Sequence, residues 1–178
     1  SIHARYLHPV RDRVEVTAAA PEHGRTVATA RAGLASGGRE CVSVSAMLGR
    51  SKLQLRETAP LLPVAGHPED FDEFAISADF VPFGQFIEIR PTNNERPYAG
   101  GEQARLTAWV RLRDDPMPTD LLRLVILLDA LAPSATAPMT DLIACPTVEF
   151  SIRPAPGTHT TASPWVLLDA HSVITADG

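Results

Sequence analysis

Apolar residues recur along this chain at two spacings, every second position and nearly every position, and the change from one to the other predicts antiparallel strands interrupted by a helix. Val14 and Val16 alternate with Arg13, Glu15 and Thr17, and Glu22-His23-Gly24-Arg25 then breaks the run with a glycine suited to a turn. Arg25 to Ala35 is a second strand. Ser36-Gly37-Gly38 makes a second turn, and Val42, Val44, Ala46 and Leu48 alternate with Ser43, Ser45 and Met47 in a third strand. Pro60, Pro63 and Pro68 punctuate Leu61 to Pro68, which predicts a connection between two halves. The expected division is 1–58, a linker over 59–76, and 77–178.

Beyond the linker, Phe86 to Arg90 is a short strand, and a turn-rich loop passes through Asn93, Asn94, Pro97, Gly100 and Gly101. In the strand Ala104 to Arg113, Leu106, Ala108, Val110 and Leu112 share one face; Arg105, Thr107, Trp109 and Arg111 take the other. The period then changes. Leu121 to Ala132 is apolar nearly all round, with Thr119 as the predicted N-cap, Asp120 in the first turn and Pro133 as the stop, so a helix surrounded by protein is expected. Strands over Thr147 to Arg153 and Trp165 to Thr175 complete the reading. Tyr6-Leu7-His8-Pro9 before Val14-Glu15-Val16 parallels Ser151-Ile152-Arg153-Pro154 before Val166-Leu167-Leu168, the mark of either an internal repeat or two similar strand-turn-strand segments.

Composition narrows the function classes. With 178 residues, 44% hydrophobic and 21% charged, the chain can bury a real core. Its net charge of −5 and singly scattered arginines lack the basic footprint of a nucleic-acid binder. Leu121 to Ala132 is broken by Arg123 and Asp129 and is shorter than the ~20 residues of a membrane span. Cys41 and Cys145 lie far apart without metal-ligand spacing, so neither a disulfide framework nor a zinc site is expected. No secretion-signal pattern opens the chain, and a reducing cytoplasm is the expected compartment.

One residue stands out chemically. Asp129 is a carboxylate in an otherwise apolar segment near the C-terminal end of the predicted helix, where burial and the helix dipole both disfavour its charge and strengthen it as a base. The structural alternative is that it accepts hydrogen bonds from loop amides near Ala135 and Thr136. No G-x-S-x-G elbow and no Cys/His nucleophile pair is present. Arg90, Arg111 and Arg153 are single arginines that meet either phosphates or solvent. His8, His23 and His67 flank turns or prolines, which predicts surface roles. Cys145 is expected to be a small buried hydrophobe, and Trp109 and Trp165 packing anchors.

The succession Ile87-Glu88-Ile89-Arg90-Pro91, Trp109-Val110-Arg111, Leu128-Asp129-Ala130-Leu131-Ala132-Pro133, Phe150-Ser151-Ile152-Arg153-Pro154 and Trp165-Val166-Leu167-Leu168 resembles the acyl-CoA thioesterase II (TesB-like) family. Ser1 to Pro9 and His23-Gly24-Arg25-Thr26-Val27 are similar to strands of that family's N-terminal repeat. The resemblance implies an α+β double hot dog, two curved antiparallel sheets each wrapped round a central helix, with the first helix before Ser1 and closing strands after Gly178. It implies hydrolysis of acyl-CoA, coenzyme A being part of the substrate and no further cofactor or metal being needed.

In that mechanism Asp129 acts with a hydroxyl residue and a glutamine to deprotonate a water, without an acyl-enzyme. Thr147 is the hydroxyl candidate, although ungapped matching places Ala144 at that position and the offset of three turns a strand side chain to the opposite face. The glutamine is expected on a strand beyond Gly178. Leu128, Leu131 and Phe150 are expected to line the acyl site, and a homo-oligomer, a dimer of double hot dogs, is the expected assembly. Two rivals are a non-catalytic acyl-CoA-binding or scaffold protein, which Ala144 favours, and a hot-dog hydratase, which asks for an Asp/His pair that Asp129 lacks in its neighbourhood of sequence.

Overall fold

The computed structural model describes residues 1–10, 13–49, 64–154 and 161–173. The predicted linker residues 59–63 and the expected strand end at Thr175 lie outside the described residues. The chain divides into two compact units, Ser1–Ala59 with Pro146–Pro156, and Pro60–Cys145 with Gly157–Gly178.

The first unit is a six-stranded antiparallel sheet built from β1 (Ile2–Tyr6), β2 (Val14–Ala18), β3 (Glu22–His23), β4 (Val27–Ser36), β5 (Arg39–Gly49) and β8 (Glu149–Ile152). Its order is β2-β4-β5-β1-β8, with β3 also pairing β4. The β4–β5 hairpin turns on Gly37 and Gly38, whose φ values of 59° and 77° are the two positive angles a two-residue type I′ turn requires. Register sorts the side chains. Val16↔Leu34↔Val42↔Tyr6, Ala18↔Ala32↔Val44↔Ala4↔Phe150 and Ala30↔Ala46↔Ile2↔Ile152 lie opposite one another, so one face is apolar across five strands. Thr17↔Gly33↔Ser43↔Arg5↔Glu149 and Arg31↔Ser45↔His3↔Ser151 form the polar face. A bulge interrupts the register at Leu34/Ala35. There Cys41, 2% exposed, offers its carbonyl to the N–H groups of Leu7 and His8, tying the β1–β2 connection to β5.

The second unit holds β6 (Ile87–Pro91), β7 (Arg105–Leu112) and β9 (Val166–His171) in the order β6-β7-β9, with α1 (Leu121–Leu128) packed on one face. Ile89↔Val110↔Val166 and Pro91↔Ala108↔Leu168 turn toward α1, and Ile87, Ile89, Ala108, Val110, Leu127, Ala130 and Leu168 form the core. The segment before β6 joins this unit: the Phe74 N–H bonds the Ile89 carbonyl, and the Trp109 indole N–H bonds the Gly66 carbonyl at 3.0 Å.

α1 differs from the expected helix in three ways. It spans eight residues and ends at Leu128 rather than at Ala132, with Asp129 as its C-cap. Asp120, not Thr119, is the N-cap and accepts the Arg123 N–H at 2.9 Å, while the buried Thr119 hydroxyl donates to the Pro164 carbonyl. Nor is it enclosed: Leu127 is buried, but Leu122 and Ile126 are exposed. Among the described residues no helix is long and apolar enough to cross a membrane.

Candidate functional site

Asp129 is the C-cap of α1, with φ −95° and ψ 0°, and its N–H still closes the last turn on Ile126 and Leu127. The residue is half-buried. The loop amides that offered it a purely structural role have other partners: Ala135 N–H donates to Ser172 Oγ at 2.9 Å and Thr136 N–H to the Pro133 carbonyl at 2.9 Å. Ser134, buried, also meets Ser172, the two hydroxyl oxygens lying 2.7 Å apart. The turn after Asp129 is therefore anchored by Ser172 next to β9.

Leu128 and Leu131 both pack on the core of the second unit. Leu131 and Ala132, immediately beyond the Asp129 turn, also line an almost wholly apolar cavity between this turn and the helix-facing side of β6 and β7. Ile89, Pro91, Leu106 and Ala108 supply its sheet wall; Phe74, Ile76 and Pro97 close it. The space for a water's centre is about 10 Å³, room for about one water molecule. Glu95 reaches the same cavity from the loop between β6 and β7, and its Oε2 is buried without a hydrogen-bond partner within the protein. Sequence reading passes over Glu95, an acid in a turn-rich loop with no periodic or motif signal.

Thr147 and Phe150 belong to the first unit. Phe150 lies on the apolar face of that sheet opposite Ala4, half-buried. Thr147 is exposed and precedes the strand, which begins at Glu149 rather than at Thr147, so strand parity does not relate it to Ala144.

The arginines on the outer face of the second sheet are engaged. Arg111 Nη2 lies 2.6 Å from Glu88 Oε2 and Arg90 Nη2 2.8 Å from Glu88 Oε1, with both guanidinium groups over the Trp165 ring, at 4.7 Å and 5.5 Å from its centroid. Arg90 also donates to the carbonyls of Pro68 and Phe71. Burial pushes the Glu88 carboxyl up, but the hydrogen bonds and fields of Arg111 and Arg90 together outweigh it and hold the group below the ordinary glutamate value. Trp165 and Trp109 anchor packing as expected. Cys145 departs from expectation in being exposed. Among the described residues no cluster of three or more His, Cys, Asp or Glu is arranged to hold a metal ion.

Residues 57–178 match the family described as the acyl-CoA thioesterase C-terminal domain. No curated protein shows a significant sequence match. Among solved structures, a hot-dog protein of unknown function from Alicyclobacillus acidocaldarius superposes with a TM-score of 0.80 at 16% identity, over 98% of this chain and 67% of that one. A Thermobifida fusca protein provisionally described as a thioesterase II gives 0.70 at 19% identity, over 99% and 67%. One from Novosphingobium aromaticivorans, provisionally described as a thioesterase, gives 0.69 at 22%, over 94% and 64%. The chain thus spans about two thirds of the length of these structures. Their likeness establishes the hot-dog fold, here α+β with one described helix and partial closure. With more than half of its length matching that model, the chain belongs to the family of the acyl-CoA thioesterase C-terminal domain.

Proposed function

We propose that this protein hydrolyses fatty acyl-CoA to free acid and coenzyme A, with Asp129 as the base. What supports the reading is the family match over residues 57–178 together with the place of Asp129 on a half-buried helix-capping turn, two residues before Leu131, which lines a small apolar cavity. The carboxylate takes a proton from water as the water oxygen bonds to the thioester carbonyl carbon. The C–S bond then breaks, and the sulfur leaves as thiolate. A thiol's pKa of about 8.5 makes a separate general acid dispensable. Leu131 meets the acyl chain, with Leu128 stiffening the turn from the core. Thr147 is assigned the water-orienting hydroxyl on the strength of sequence resemblance.

The test is thiol release from acyl-CoAs of several lengths. Asp129→Asn is expected to lower kcat/KM by about a hundredfold or more, the usual contribution of a general base, and Thr147→Val by a smaller factor. Equal rates in wild type and Asp129→Asn would remove Asp129 from the mechanism. Acyl-CoA binding without any thiol release would favour the non-catalytic alternative.

A further inference from the structure

On the polar face of the first sheet, β1 and β8 bring a hydroxyl, an imidazole and a carboxylate into one line of contact. The register sets His3 opposite Ser151 and Arg5 opposite Glu149, and residues two apart on a strand share a face, so all four side chains rise from the same side. His3 Nδ1 lies 2.7 Å from Ser151 Oγ, and His3 Nε2 lies 3.7 Å from Glu149 Oε1. A carboxylate beside Nε2 favours the imidazole tautomer with its proton there, which leaves the Nδ1 lone pair to accept the Ser151 hydroxyl. Arg5 Nε, 4.0 Å from Glu149 Oε2, holds the far side of the carboxylate. Ser151 is exposed and His3 half-buried, so a reagent reaches the hydroxyl. A nucleophile touching a base that is oriented by an acid is the arrangement that activates a serine, whatever the fold or the chain order.

We infer that Ser151 and His3, positioned by Glu149, form a second catalytic site that hydrolyses short acyl esters; Asp129 takes no part in it. Ser151 Oγ bonds to the ester carbonyl carbon as its proton passes to His3 Nδ1. The C–O bond to the leaving group breaks, and the departing alkoxide takes that proton, leaving an acyl-serine. Water then attacks the acyl-serine with His3 again as base, which releases the acid and restores the Ser151 hydroxyl. The surroundings favour small substrates. An open depression of about 620 Å³ on the same sheet is lined by Thr17, Arg31, Glu40, Ser43 and Ser45, and Ser45 stands directly across from His3. It admits a small polar ester but lacks the enclosed apolar walls that hold a long chain.

The experiment treats the full chain with a fluorophosphonate, maps the label by peptide mass spectrometry, and follows nitrophenol release from p-nitrophenyl acetate in an Asp129→Asn background, where the other candidate base is silent. Ser151 is expected to be labelled ahead of the other serines. Ser151→Ala should abolish the mapped label and the ester turnover, and His3→Gln should slow both by about a hundredfold, the usual contribution of a general base. Glu149→Gln should lower kcat with little change in KM, and Glu149→Asp should restore part of the loss. Absence of label on Ser151 in the unsubstituted protein overturns the inference without recourse to any variant. So does ester turnover that continues at full rate in folded Ser151→Ala or His3→Gln. An unchanged kcat in Glu149→Gln overturns the positioning role of Glu149.

Discussion

Glu88 is 3% exposed and remains charged because each carboxylate oxygen faces its own guanidinium, at 2.6 Å and 2.8 Å. Its place in Ile87-Glu88-Ile89-Arg90 marks it as outward-facing, and it is; what the alternation does not reveal is that Gly66, Pro68 and Phe71 lie against that outer face through Trp109 and Arg90. Glu88→Gln removes the charge and leaves two half-buried arginines facing each other, so a loss of about 3 kcal/mol is expected in denaturant unfolding near neutral pH. The sign with pH follows from the lowered carboxyl. Stability from Glu88 is fully present above the ordinary value of 4.5 and is lost as pH falls through the lower folded value. The stability gap between wild type and variant should therefore close in acid; a gap that stays constant down to about pH 2 would mean the charge pair is not its source. Residue type and local pattern single out Asp129 as a candidate at this scale; they do not single out Glu95, whose buried, unpartnered oxygen depends on residues distant in the chain.

Among elements, the β4–β5 hairpin follows most directly from local chemistry. Two glycines in succession accept positive φ without a Cβ penalty, and no heavy atom lies within 4 Å of a Cβ built at either one. Substitution there is therefore a pure backbone effect. Gly37→Val should cost about 1–2 kcal/mol and Gly37→Asn only a few tenths, as read by thermal or denaturant unfolding. Equal costs would show that something other than the left-handed conformation limits the position. The helix was less legible. Its apolar composition predicts burial on every side, but an eight-residue helix capped by Asp120 and stopped ahead of Pro133 presents one face to its sheet and leaves Leu122 and Ile126 outside. Hydropathy reports how apolar a segment is; which face meets a partner is set by the sheet beneath it.

At the scale of the whole molecule, the apolar face of the six-stranded sheet carries exposed side chains among the described residues. Val16 and Leu48 on that face are 70% and 55% exposed. Contiguous apolar surface of this kind binds amphiphilic dyes in the native state. The protein should enhance the fluorescence of an anilinonaphthalene sulfonate dye, and joint Val16→Ser and Leu48→Ser substitution should lower the signal at least about twofold; an unchanged signal would place the dye elsewhere.

Strand alternation, the Gly37-Gly38 turn, the candidate base at Asp129 and membership in a thioesterase family could all be deduced from the amino-acid order alone, because each depends on residues adjacent in the chain or on their succession. The joining of Glu149–Ile152 to the first sheet, the engagement of Arg90 and Arg111 by Glu88, the shortened and half-exposed helix and the orphaned Glu95 oxygen were decided only by tertiary structure. Each depends on which distant segments come to lie against one another, and a hydrogen bond or a desolvated charge takes its energy from that neighbour, not from the residue's place in the sequence.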